Sequence, residues 1–312
     1  MKRGLKKTAG FVIPIIITIL LGEVGVRAFV KLPPIFSDEK VSCYRFDYQL
    51  GWFPIEDNNC VYNGSIPTQV YHNTDGLRDA EHNIEDKRPS IAYFGDSFVW
   101  GYDVAQDQRI TDVAQNLLLD WEIFNFGVSG YGTDQEFLLL QKFFPKYKPE
   151  IVILVVHSND NEDNSTNIRW HYRKPYYQLS NDSLVLKGQP VPTSFNYQAH
   201  QYPILFKSKL FQGLVVLYNK FTKPNHVILP DITEELISEF NQYVTSNGSK
   251  LLVVFTYDTE TKIQKYLTYK EIHHLFAPTH LKFIDYGQHW TVEGHQYIGE
   301  LIVKRLRQLG WI

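Results

Sequence analysis

Four short stretches of this chain carry groups that together suit acyl transfer from an ester. They are Gly95-Asp96-Ser97-Phe98, Asn125-Phe126-Gly127-Val128-Ser129-Gly130, Ser158-Asn159-Asp160, and Asp285-Tyr286-Gly287-Gln288-His289-Trp290. Such a reaction needs a nucleophile, a base to take its proton, and donors that hold the developing oxyanion. Ser97 is the candidate nucleophile. A free serine hydroxyl is a weak one, so a base must touch it, and His289 is the candidate. Asp285 is placed to orient the imidazole and stabilise its protonated form, as the third member of a triad does. The candidate oxyanion donors are the backbone N–H of Ser97, the backbone N–H of Gly130 and the side-chain amide of Asn159. Gly130 lets backbone approach a ligand with no Cβ in the way.

Residues so far apart meet only if the fold collects them. From residue 90 the sequence alternates strand and helix. The apolar runs Ile91–Phe94, Glu122–Phe126, Ile151–Val156, Leu251–Thr256 and Leu281–Ile284 read as strands buried on both faces of a parallel sheet. Helical patterns cover Thr111–Leu119 and Asp134–Phe144, the second with Thr133 as N-cap and Glu136 completing a capping box. A last helix is expected over Gln296–Leu309. This order predicts an α/β fold, a three-layer α/β/α sandwich around a mostly parallel, doubly wound sheet. Each candidate group then comes after a strand and opens on the same sheet edge, where open α/β sheets present reactive groups.

The four stretches resemble those of the SGNH, or GDSL-like, serine hydrolases. That family carries Ser in a Gly-Asp-Ser block, Gly in an Asn-x-Gly-like loop, Asn in an Asn-Asp pair and His in a C-terminal Asp-x-x-His block. Ser97, Gly130, Asn159 and His289 match in type and order, over residues 90 to the C-terminus. One position departs: Tyr286 stands three residues before His289, and Asp285 four. The resemblance implies a three-layer sandwich, serine-dependent esterase or acyl-transfer activity, and neither metal nor cofactor. The substrate it suggests is an O-acylated carbohydrate, with hydrolysis outside the cytoplasm. O-acetyl transfer to a polysaccharide by the same site, and a non-catalytic binding role on the same scaffold, stand as alternatives.

Other residue types compete for these roles. His295 is a rival base, expected to begin the final helix in a packing or surface role. Ser129 is a second serine, but Tyr131 spoils a Gly-x-Ser-x-Gly elbow. Asn159-Asp160 with Glu162 and Asp163 lacks the spacing of a calcium loop. The interval 165–235 breaks the strand–helix rhythm as an insertion, with a hairpin around Asn181-Asp182 and an amphipathic helix over Leu205–Tyr218. Its aromatic residues Trp170, His171, Tyr172, Tyr176 and Tyr177 suit either sugar stacking or packing.

The N-terminus has its own logic. Lys2, Arg3, Lys6 and Lys7 precede the apolar stretch Ala9–Leu21, and Glu23 and Arg27 stand beyond it at i, i+4 spacing. Basic residues before an apolar segment favour translocation of the chain on its C-terminal side. An uncleaved signal anchor and a cleaved signal peptide are both open, and either puts the rest of the chain outside the cytoplasm. Residues 1–30 are accordingly read as membrane segment, 31–89 as an irregular extension with short β elements, and 90–312 as the main domain. Cys43 and Cys60, the two cysteines, suit one disulfide in an oxidising compartment, worth about 3 kcal/mol. A net charge of -3 supplies no global field for nucleic acid.

Overall fold

The computed structural model describes residues 2–35, 42–169, 172–181, 183–223, 225–257, 261–284 and 286–312. The chain forms two compact units, residues 1–38 with 192–226, and residues 39–191 with 227–312. The smaller unit starts with α1 (Lys2–Phe29), whose window Val12–Phe29 is long and apolar enough to cross a membrane, with a mean hydropathy of 2.0. Glu23 and Arg27 pair on it at 2.7 Å.

The larger unit opens with two antiparallel hairpins, β1 (Tyr44–Asp47) with β2 (Gly51–Pro54), and β3 (Asn58–Asn63) with β4 (Pro67–His72). Cys43 and Cys60 are bonded, which ties the two hairpins together. Then come β5 (Ser90–Gly95), the single turn α2 (Ser97–Trp100), α3 (Ile110–Leu117), β6 (Glu122–Gly127), α4 (Thr133–Tyr147), β7 (Ile151–Val156) and the short α5 (Asp160–Asn164). Two small hairpins come next, β8 (Ile168–Arg169) with β9 (Tyr172–Arg173), and β10 (Tyr176–Ser180) with β11 (Ser183–Lys187). The chain then contributes α6 (Phe195–Gln201) and α7 (Lys209–Thr222) to the smaller unit. It returns as α8 (Thr233–Ser246), β12 (Lys250–Phe255), α9 (Thr261–Tyr269), β13 (His274–Phe276) and α10 (Val292–Gln308).

The five-stranded sheet runs β13-β12-β7-β5-β6, and its pairs are all parallel. The period-2 side-chain pattern sorts its residues onto two faces. Ala92, Phe94, Val152, Leu154, Val253 and Phe255 join one core with residues of α4 and α8; Ile91, Tyr93, Ile153, Val155, Leu252 and Val254 join another with residues of α3 and α10. These are the three layers. Each fully buried aliphatic or aromatic side chain contributes about 1.5–3 kcal/mol, which is why the inner strands are continuous apolar runs. The hairpin residues Tyr44, Trp52, Phe53 and Tyr62 lie in the first of these cores, so the segment before β5 shares the main hydrophobic interior.

Two elements differ from their sequence expectation. Leu281–Ile284 is not a strand: Leu281 and Ile284 are 42 % and 91 % exposed, and Lys282 makes only an isolated bridge to Trp290. The edge position belongs to His274–Phe276, paired with β12 through Val253 and His274. A three-residue edge strand cut short by Pro278 has too little run length to show in the sequence. Thr133 is not the N-cap of α4. Gly132 takes that place, and Thr133 and Glu136 are fully buried with no side-chain partner among the described residues. The helix start is served instead by Asn164, whose Oδ1 accepts from the Asp134 N–H at 3.1 Å. A distant amide thereby replaces the local cap.

Candidate active site

The strand order reverses between β5 and β7, although all the strands run parallel. An open α/β sheet has its crevice there, outside the carboxyl ends of the strands. β5 ends at Gly95, and the Asp96 carboxylate caps the next turn by accepting from the Phe98 N–H at 2.9 Å. Ser97 is thus the first residue of α2. The turn lies flat on the end of β6: a Cβ on Gly127 would meet the Trp100 backbone nitrogen at 2.2 Å, so only glycine fits. Buried Arg78 holds the loop after this turn, donating to the carbonyls of Trp100 at 3.0 Å and Val104 at 2.8 Å, and also to that of Gly101.

His289 reaches Ser97 from the far end of the sequence. Ser97 Oγ and His289 Nε2 are 2.7 Å apart, with 192 residues between them in sequence. Both residues are more than nine-tenths buried. The imidazole lies between two rings, stacked on Tyr102 at 4.0 Å and 18° and tilted against Phe98 at 4.9 Å. Tyr102 in turn meets Tyr62 of β3 edge-on at 4.9 Å, so the disulfide-tied hairpin backs the histidine. Asp285, the expected orienting acid, lies outside the described residues.

Gly130 comes after β6 with φ +82°, a left-handed conformation that favours glycine. Trp52 Nε1 donates to the neighbouring Ser129 carbonyl at 3.1 Å and fixes this loop. Among the described residues no turn or loop carbonyl takes the Ser97 or the Gly130 backbone N–H. Asn159, after β7, is engaged differently from its expected role. Its Nδ2 donates to Asp96 Oδ2 and to Asp163 Oδ2, each at 3.0 Å, so both amide hydrogens point at carboxylates.

Those carboxylates belong to a buried acidic group of Asp96, Asp134, Glu136, Asp160 and Asp163. Lys174 pairs with Asp134, and Arg169 lies 2.8 Å from Asp163. Neither oxygen of Glu136 has a partner among the described residues. Burial, then the surrounding carboxylates, push Glu136 and Asp160 well above the usual carboxylate range. Burial pushes Asp163 up to about 7 and also raises Asp96 and Asp134. Like charges in a dry interior oppose one another's ionisation, so these carboxyls hold their protons more tightly than free ones do. No group of three His, Cys, Asp or Glu among the described residues is arranged to hold a metal ion.

Neither a family model nor a curated protein sequence matches this chain. Solved structures similar to it include lipases and acylhydrolases. One is the structure of TesA, at 11% identity and a TM-score of 0.42, covering 70% of this chain and 99% of that one. Another is a GDSL-like lipase from Bacteroides thetaiotaomicron, at 12% and 0.41, covering 72% and 90%. A third is the lipase/acylhydrolase from Enterococcus faecalis, at 15% and 0.41, covering 71% and 96%.

The remaining candidates have other places. His295 is fully buried in α10 against Trp290 at 5.2 Å, and burial holds it down at about 3, so it is a neutral packing residue. His157 sits on Phe98 at 3.9 Å with Nδ1 2.7 Å from Thr256 Oγ1. Burial, then the positive charge of Lys282, hold it at about 3. Of the insertion's aromatic residues, Tyr177 is buried against Phe137 and Tyr172 packs near Trp52, while Trp170 and His171 lie outside the described residues. Two residues join the site with no sequence expectation attached, Tyr102 and Arg78. Tyr102 stands five positions after Ser97 in Ser97-Phe98-Val99-Trp100-Gly101-Tyr102, and an aromatic residue just past the serine's turn was the available signal. Nothing in the sequence around Arg78 marks its role.

Proposed function

We propose that this chain is a serine hydrolase that cleaves a carboxylic ester, with Ser97 as nucleophile and His289 as its base. The observation that carries the proposal is the 2.7 Å approach of Ser97 Oγ to His289 Nε2 at the crevice end of a parallel sheet. That separation lies within the reach of direct proton transfer. In the first half-reaction Ser97 Oγ bonds to the ester carbonyl carbon while its proton passes to His289 Nε2. The oxyanion is held by the backbone N–H groups of Ser97 and Gly130, and by Asn159 once one of its amide hydrogens leaves a carboxylate. The C–O bond to the alcohol then breaks, and His289 returns the proton to the departing oxygen. In the second half-reaction a water gives a proton to His289 while its oxygen bonds to the acyl carbon; the bond from that carbon to Ser97 Oγ then breaks, His289 returns the proton to Oγ, and the acid leaves. Asp285 is the proposed orienting acid for the imidazole.

The finer reading is an O-acylated carbohydrate as substrate, with α1 anchoring a catalytic unit that works outside the cytoplasm. The compartment reading is supported by the apolar Val12–Phe29 segment and the bonded Cys43–Cys60 pair. Turnover of p-nitrophenyl acetate and labelling by a fluorophosphonate test the chemistry. Ser97→Ala and His289→Ala are expected to lose activity by on the order of 10⁴- to 10⁶-fold, and Ser97→Ala to lose the label. Unchanged turnover in either variant would overturn the assignment. Addition of sugar acceptors separates hydrolysis from transfer, because transfer diverts the acyl group from water to a sugar hydroxyl.

A further inference from the structure

Helix α7 exposes one apolar stripe. Leu214, Leu217, Tyr218 and Phe221 are 56 %, 52 %, 61 % and 79 % exposed, at the i, i+3, i+4, i+7 spacing of a single helix face. Ile204 and Leu205 extend the exposed apolar surface into the preceding turn.

The start of this helix is latched to α1. Glu23 accepts hydrogen bonds from Ser208 Oγ at 2.8 Å, from Lys209 N at 3.0 Å and from Leu210 N at 2.8 Å, so an α1 carboxylate satisfies the first donors of α7. The contact is close. A Cβ on Gly22 would lie 3.2 Å from Leu210, and one on Gly213 would lie 3.7 Å from Val26. The α7 stripe therefore begins beside the last turns of an apolar helix whose own surface exposes Ile15, Ile16, Ile19, Leu20 and Leu21.

Charge points to the same partner. No Asp or Glu occurs between Asp182 and Asp231, whereas Lys207, Lys209, Lys220 and Lys223 of the smaller unit do, in a chain of net charge -3. An amphipathic helix with lysines and no acidic residue of its own fits an anionic lipid surface, its stripe among acyl chains and its lysines at the headgroups. We propose that α7 and its preceding turn lie in the interface of the bilayer that α1 enters, as a second, lateral membrane contact. The proposal rests on the reading of α1 as a membrane anchor.

The full-length chain in vesicles of mixed phosphatidylglycerol and phosphatidylcholine tests it. Both native cysteines are bonded, so an introduced cysteine is the single free thiol. An environment-sensitive dye is placed through Ile17→Cys in α1, Leu214→Cys, Leu217→Cys or Phe221→Cys on the stripe, and Ser246→Cys on the exposed side of α8. Lipids carrying a nitroxide on the acyl chain serve as quencher. The expected result is quenching and a shift to shorter wavelength at Ile17 and at the three stripe positions, and neither at Ser246. Each of Lys207→Gln and Lys220→Gln is expected to lower the ratio of embedded to exposed stripe dye roughly fivefold in anionic vesicles, and to leave it unchanged in pure phosphatidylcholine. Quenching at Ile17 with none on the stripe overturns the proposal and leaves the anchor standing. No quenching at Ile17 removes the anchor and the proposal together. Stripe dyes that shift without quenching, with crosslinks between chains, would show a second copy covering the face and equally overturn it.

Discussion

Glu136→Gln is expected to stabilise the fold at neutral pH, by an amount that grows with pH. Glu136 is fully buried, neither of its oxygens has a partner among the described residues, and burial followed by Asp160, Asp96, Asp134 and Asp163 raises it well above its ordinary 4.5. Its folded form therefore keeps a proton that the unfolded chain has released at every pH between 4.5 and the raised value. Stability in that window falls as pH rises, by about 1.4 kcal/mol per pH unit for one proton. Glutamine fills the same volume and ionises in neither state. The advantage of the variant should thus be small near pH 4.5 and widen by about 1.4 kcal/mol per unit above it until the raised value is reached. For a unit of roughly 150–250 residues 1 kcal/mol moves Tm by roughly 2–4 °C, so the Tm gap should open by roughly 3–6 °C per pH unit. Thermal unfolding of the full-length protein in detergent at pH 5.5, 6.5 and 7.5, with tryptophan fluorescence as the signal, measures it. Parallel Tm profiles for the two proteins would mean that Glu136 is ionised in the fold, and the prediction would fail.

Three other outcomes are expected at the site and its supports. Tyr102→Leu removes the ring stacked on His289 and its attraction for the imidazolium formed during turnover; kcat/KM for an ester should fall about 2- to 30-fold, with Tyr102→Phe near wild type, and equal activity of all three would discount the stacking. Asn159→Ala leaves Asp96 and Asp163 without their shared donor and should cost about 1.5–3 kcal/mol in urea unfolding, whereas no loss would show those bonds to be dispensable. Cys43→Ser with Cys60→Ser opens a crosslink of sequence separation 17 and should lower stability by about 3 kcal/mol, which reductant should reproduce in the wild type; insensitivity to both would show that the crosslink adds no stability.

The parts of the fold legible in the sequence are those that local pattern controls. β5, β6, β7 and β12 announce themselves as short apolar runs because strands buried on both faces admit few polar residues. The β10–β11 hairpin shows through Asn181, whose φ of +49° its turn requires. β13 stayed hidden because three edge residues leave no periodicity to count. The start of α4 was legible to within one residue, but not its cap, because the capping group arrives from Asn164, 30 residues on.

For the candidate site the division is sharper. Residue types and order alone singled out Ser97, Gly130, Asn159 and His289, since a hydroxyl, a glycine, an amide and an imidazole in that order, three of them just past apolar runs, form a readable pattern. Their mutual placement was a tertiary matter. The sheet order sets Ser97 and Asn159 on either side of the crevice, and the loop before α10 brings His289 across 192 residues to 2.7 Å. What the sequence held no sign of was electrostatic. Asn159 turns both amide hydrogens to Asp96 and Asp163, and five carboxyls share one dry interior with two cations, because packing removes water that every one of them would keep in an open chain.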